Sequence, residues 1–145
     1  MYSGLYTAKN SHDVASDLHT VQINENNKTI TLDIKDLYVN LSIQNILKIT
    51  EFWLNENNQN HAIIDNILHL LEIILRQNYF QYNNRFYQPN NGISMGSPIS
   101  STLAEMYLQY FEKVHMKHYL ETRGIIYYKR YVDDLLIIFD QMKTN

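Results

Sequence analysis

Cysteine is absent from the 145 residues, which excludes disulfides, thiolate metal sites and a cysteine nucleophile, and leaves the redox compartment open. No apolar run approaches the roughly 20 residues that a membrane span needs, so a soluble protein without membrane contact is expected. The first residues, Met1-Tyr2-Ser3-Gly4-Leu5-Tyr6, lack the basic and apolar blocks of a signal peptide. Positive charge is also short, with 12 Lys and Arg against 15 Asp and Glu and a net charge of -3. That balance speaks against a self-sufficient nucleic-acid binder, because phosphate contacts normally come with a basic surface. Internal repeats and low-complexity tails are missing too. What remains is 45% hydrophobic and 19% charged, in the range of one globular domain spanning 1–145.

The most informative segment lies near the C-terminus, where Tyr131-Val132-Asp133-Asp134 separates two apolar runs. Ile125 to Tyr128 precede it and Leu135 to Phe139 follow, all residue types favoured in strands. A tight turn therefore carries two adjacent carboxylates. Neighbouring negative charges repel and are costly near a core unless a cation neutralises them. Hard oxygen ligands suit magnesium or manganese. Asp is equally a common turn residue, so these four residues alone leave a solvated turn and a metal site both open.

Elsewhere, Asn24-Glu25-Asn26-Asn27 closes a polar stretch over 1–28 and announces a strand. In Thr29-Ile30-Thr31-Leu32-Asp33-Ile34 the apolar residues share one face, and Asp33 falls on the other with the two threonines. Helical spacing follows Tyr38 through Ile43, Ile46, Leu47 and Trp53, then resumes after a polar loop from Ile63 to Leu75 as a core helix ending near Arg76. Tyr79 to Tyr82 and Arg85 to Gln88 flank Asn83-Asn84, which predicts a hairpin. A Gly92 to Pro98 loop leads, with Ser97 as cap and Pro98 in the first turn, into a helix from about Ile99 to Leu120. Its core stripe runs through Leu103, Met106, Tyr107, Tyr110, Phe111 and Val114, and Gly124 ends it. The order predicts an α+β fold. If the strand of Asp33 pairs beside the hairpin, Asp33, Asp133 and Asp134 are placed to bracket two metal ions, the arrangement that in-line phosphoryl transfer uses.

Three blocks carry a family resemblance. Asp33-Ile34-Lys35-Asp36-Leu37-Tyr38, Gly92-Ile93-Ser94-Met95-Gly96-Ser97-Pro98-Ile99-Ser100 and Arg130-Tyr131-Val132-Asp133-Asp134 resemble motifs A, B and C of reverse transcriptases, in that order. Met-Gly-Ser-Pro in the second and Arg-Tyr-Val-Asp-Asp in the third are similar to the Penelope-like retroelement branch, as are Asn10-Ser11-His12-Asp13 and the spacing of Phe80, Tyr87 and Gln88 before Gly92. The resemblance covers residues from about 10 to 140. It implies a right-hand polymerase fold, with a palm of antiparallel sheet packed on helices, partial fingers, and truncation before the thumb.

By position, the resemblance implies Asp33, Asp133 and Asp134 as metal-binding catalytic carboxylates for two Mg2+ ions, with Mn2+ as the substitute. Tyr38 stands where reverse transcriptases crowd the 2'-hydroxyl of a ribonucleotide, implying deoxynucleoside triphosphates as substrates. Viral RNA polymerases usually carry Asp at that place and Gly before the paired aspartates, where this chain has Tyr38 and Val132. Gly96 matches the glycine that lets the backbone approach nucleotide and template, whereas Gly92 serves the turn. Met95 replaces the Gln of many relatives at the nucleotide site and offers apolar packing there. Ser101 and Leu41-Ser42 depart from the family pattern without touching a carboxylate. An RNA template and a DNA primer are the implied partners, in an intracellular setting that is nuclear for an active eukaryotic element.

Lys35 and Arg130 each flank an acidic motif and are read as neutralising local charge in preference to binding phosphate. Asp36 is left out of the ligand set. One competing reading is a noncatalytic binding module on the helical triplet Glu112, His115 and His118. Another is a silent relic of a retroelement polymerase. Only Asp140 to Asn145 follow the last strand, leaving no room for a thumb, and no GIY-YIG endonuclease is visible.

Overall fold

The computed structural model describes residues 6–143, so the two ends of the expected 1–145 domain, residues 1–5 and 144–145, lie outside the described residues. In chain order the elements are α1 (Ser11–Leu18), β1 (Asn27–Asp33), α2 (Leu37–Asn40), α3 (Ile43–Glu56), α4 (His61–Arg76), β2 (Phe80–Tyr82), β3 (Arg85–Tyr87), α5 (Ser100–Phe111), a π-helical turn (Glu112–Met116), α6 (Lys117–Thr122), β4 (Ile125–Tyr131) and β5 (Asp134–Asp140). Two compact units result, Met1–Lys35 with Leu108–Asn145, and Asp36–Tyr107.

The first unit is built on an antiparallel sheet of order β1-β5-β4. The central strand, β5, is the apolar run Leu135 to Phe139, because a central strand is covered along both edges and needs no polar edge residues. Tyr6 to Ala8 run beside β4, with the Ala8 amide donating to the Arg130 carbonyl at 2.7 Å and the Arg130 amide to the Tyr6 carbonyl at 2.9 Å. The register pairs Ile30 with Ile137, Leu32 with Leu135 and Asp33 with Asp134, while β4 sets Tyr128 against Ile137 and Arg130 against Leu135. Cross-strand partners share a face. One face thus carries Tyr128, Arg130, Ile30 and Leu32, and the other carries Asp33, Thr31, Lys129, Tyr131 and Asp134.

In the second unit α3 packs against α4, burying Ile46, Ile49, Ile64 and Leu75. Both helices are capped by the side chain before their first turn. Ser42 Oγ accepts from the Asn45 amide at 3.2 Å, and Asn60 Oδ1 from the Ala62 amide at 2.8 Å. The Leu41-Ser42 departure from the family pattern therefore has a local role, since Leu41 is buried and Ser42 starts α3. The β2–β3 hairpin forms as expected, with Asn83 and Asn84 both at positive φ.

Four expectations need correction. Residues 1–28 contain a helix, α1, whose cap is Asn10 accepting from the Asp13 amide at 2.9 Å. Its short amphipathic face is too brief for periodicity to show. The α4 stripe is not all core, because Ile63, Ile67 and Ile74 are exposed. The long helix over 99–120 is three pieces, as five residues after Phe111 take π geometry, and Phe111 and Val114 of its stripe are exposed. Ser97 and Pro98 lie in the turn before α5 and not in its first turn.

Candidate active site

Val132 and Asp133 alone join β4 to β5, since Tyr131 pairs with Asp134. A two-residue hairpin loop needs positive φ, and Val132 supplies it at 56°. A β-branched residue in that region stores about 1–3 kcal/mol of strain, which surrounding contacts have to offset. Beside this turn, Asp33 at the end of β1 is the direct cross-strand partner of Asp134. Their carboxylates share the polar face of the sheet, where like charges in opposition are destabilising without a positive counterpart. The Ile34 amide donates to the Asp133 carbonyl at 2.9 Å, locking the strand that bears Asp33 to the turn. Asp33 and Asp134 are exposed and Asp133 is half-buried, so the carboxylates sit at the rim of the sheet and not in its core.

Behind the turn, on the opposite face, Arg130 is 1% exposed. Its Nε donates to Glu112 Oε1 at 2.7 Å and its Nη2 to Glu112 Oε2 at 3.2 Å, a two-armed ion pair. Nη1 donates to the Val132 carbonyl at 3.0 Å, and Nη2 also reaches Thr7 Oγ1 at 3.2 Å. The Tyr128 hydroxyl donates to Glu112 Oε1 at 3.0 Å. Burial first, then the Glu112 carboxylate, raise the Tyr128 phenol well above its usual pKa, with Arg130 partly offsetting them. Arg130 does neutralise a carboxylate, as expected, yet the carboxylate is Glu112 from the π turn and not a motif aspartate. Glu112 is thereby taken out of the triplet with His115 and His118, both of which are exposed. Sequence reasoning missed Glu112 as a partner of the turn.

Asp33, Asp133 and Asp134 offer the hard oxygen donors that magnesium or manganese prefers, and the backbone brings them to one end of one sheet. Their side chains do not close into a ligand set: among the described residues no three carboxylate or imidazole groups converge to hold an ion. Donor chemistry and backbone placement fit a divalent cation, while the expected bracket of three converged carboxylates is not formed.

On the polar face, α1 is held by Asp17, which pairs with Lys129 at 3.2 Å and accepts from the Tyr127 hydroxyl at 3.4 Å. Burial, then Asp17, push the Tyr127 phenol up to about 12. A cleft of about 220 Å³ beside this contact has Val14, Thr31, Lys129, Tyr131 and Asp134 among its walls. That is below the ~300–1,000 Å³ of a small-molecule pocket, so the cleft does not enclose a nucleotide by itself.

The other expected site residues, Tyr38, Met95 and Gly96, belong to the second unit. There Gly92 has φ 85°, and a Cβ on it would stand 2.8 Å from the Tyr38 carbonyl and from two backbone atoms of Val39. The Ile93 amide donates to the same Tyr38 carbonyl at 2.9 Å. Gly92 therefore serves both a turn and a close approach that fixes the backbone of half-buried Tyr38. Gly96 differs, because a Cβ there would meet nothing nearer than Ser94 Oγ at 3.9 Å. Met95 is 70% exposed and packs little on its own chain.

A family model described as "Reverse transcriptase (RNA-dependent DNA polymerase)" matches residues 3–145. No curated protein sequence matches the chain. Among solved structures, telomerase from Candida albicans, in complex with a fragment of telomeric RNA, superposes with a TM-score of 0.68 at 15% identity, covering 92% of this chain and 27% of that one. Apo telomerase from Candida tropicalis, truncated from its C-terminal domain, gives a TM-score of 0.67 at 16% identity, covering 93% of this chain and 30% of that one. The chain thus spans less than a third of the telomerase chains it matches, and at these identities the likeness is one of fold.

Proposed function

This chain belongs to the reverse transcriptase family, and from that premise we propose that it forms the catalytic core of an RNA-directed DNA polymerase of a Penelope-like retroelement. The observation that carries the proposal is the pairing of Asp33 with Asp134 across β1 and β5, next to a two-residue turn that presents Asp133. Two distant parts of the sequence, Asp33 and the neighbours Asp133 and Asp134, are thereby placed at one end of the sheet, with the Ile34 amide tying their backbones together.

In the proposed reaction the 3'-hydroxyl of a DNA primer attacks the α-phosphate of a deoxynucleoside triphosphate, and pyrophosphate departs. Asp33, Asp133 and Asp134 would hold divalent cations, Mg2+ or Mn2+, which supply charge stabilisation for the attacking and leaving oxygens. The chain's own contribution is placement: strand register sets Asp33 against Asp134, and the turn sets Asp133. Tyr38, with its backbone fixed by the Gly92 loop, serves as the sugar gate, and Gly96 leaves its surroundings open to a nucleotide or template backbone. The branch assignment rests on Met95-Gly96-Ser97-Pro98 and on Arg130-Tyr131-Val132-Asp133-Asp134. The RNA-bound Candida albicans telomerase lends support to an RNA strand as template.

Primer extension on an RNA template tests the reading, using a polypeptide in which the chain is continued into flanking fingers and thumb. Magnesium-dependent extension is expected, and Asp133→Asn should bring it to background. Extension that survives Asp133→Asn would remove the carboxylate assignment.

A further inference from the structure

We infer that Arg130, held by Glu112, is a positioning residue that selects the conformation of the Val132-Asp133 turn and so fixes where Asp133 presents its carboxylate. Of the two loop residues Val132 has positive φ and Asp133 does not, the pattern of a type II′ turn. The alternative two-residue turn, type I′, needs positive φ at both positions and differs by a flip of the peptide between them. That peptide's oxygen is the Val132 carbonyl. Arg130 Nη1 donates to it at 3.0 Å from a fully buried guanidinium, so a flip would break a buried, charge-assisted hydrogen bond. The next carbonyl, that of Asp133, is held by the Ile34 amide. Both turn carbonyls are therefore fixed, one from each side.

Glu112 makes this possible. By taking Nε on one carboxylate oxygen and Nη2 on the other, it aligns the planar guanidinium and leaves Nη1 directed at the turn. A lysine keeps the charge but has no fork with which to engage Glu112 and the carbonyl together. Glu112 opens the π turn that follows α5, so the brace runs from that turn through Arg130 to the carboxylate-bearing loop.

The catalytic consequence rests on the polymerase reading, so one arm of the test reads the turn directly, in metal-free protein. Arg130→Lys is expected to speed hydrogen exchange of the Ile34 amide at least about tenfold, with mid-strand amides of β4 and β5 unchanged. In the extended polymerase the same variant should lower kcat about tenfold or more while KM for the nucleotide holds. Tyr128→Phe is the control: it removes a bond to the same Glu112 oxygen without touching Arg130 or the turn, and should change neither Ile34 exchange nor kcat. Equal effects from both variants, or unchanged Ile34 exchange in Arg130→Lys, would overturn the inference. Should Arg130→Lys fail to fold, Glu112→Gln is read by the same exchange criterion, faster supporting and unchanged overturning. A wild-type polymerase that extends no primer would count against the functional reading alone, and the exchange result would still decide the brace.

Discussion

At the scale of single residues, the paired aspartates were legible because charge placed between two strand-forming runs needs a reason. Their neighbour Arg130 was legible only in part. Period-two alternation puts it on the same face as Tyr128, and a buried guanidinium requires a carboxylate. Which carboxylate was not recoverable, since Glu112 lies 18 residues away on a helix whose π turn no periodicity announces. Tyr38 carries a prediction at this scale. If its ring crowds the sugar 2'-position, Tyr38→Ala in the extended polymerase should raise ribonucleotide incorporation relative to deoxynucleotide by about tenfold or more, a loss of about 1.4 kcal/mol of discrimination. Competition assays measure that ratio directly, and an unchanged ratio would dismiss the gate.

Among elements, the Gly92 to Pro98 loop holds two glycines in different surroundings, Gly92 crowded by backbone and Gly96 open. Gly92→Ala should cost at least about 2 kcal/mol of stability, because left-handed backbone is unfavourable for alanine and its Cβ would collide with the backbone of Tyr38 and Val39. Gly96→Ala has room for its methyl and should change stability by less than about 0.5 kcal/mol, yet slow primer extension if a nucleotide or template backbone comes close there. Urea denaturation of both variants, with extension assays on the second, checks the contrast; equal stability losses would contradict it. The hairpins and α3 could be read from the sequence because turn residues and caps are local signals. The length of α5 could not, because apolar spacing continues through the π turn while the hydrogen-bond pattern changes beneath it.

For the whole molecule, a net charge of -3 and a span of less than a third of the matched telomerase chains bear on what these residues do unaided. Exposed Ile30 and Leu32 on β1, and Ile63, Ile67 and Ile74 on α4, present apolar surface that a self-sufficient domain would cover. We therefore expect residues 1–145 alone to give little or no primer extension under conditions where the extended polymerase is active. Robust extension by these residues unaided would show that the core needs no further grip on template and primer.

The sequence by itself determined the family and the presence of the strand and hairpin that carry Asp33, Asp133 and Asp134, since motif order, strand alternation and turn composition are written in neighbouring residues. Only the tertiary structure decided that β1 pairs with β5 in the register that sets Asp33 against Asp134, and that Glu112 and Arg130 stand behind the turn. Both depend on contacts between residues far apart in the chain. Strand order and buried charge pairing are settled by which surfaces meet, and local residue pattern does not encode that.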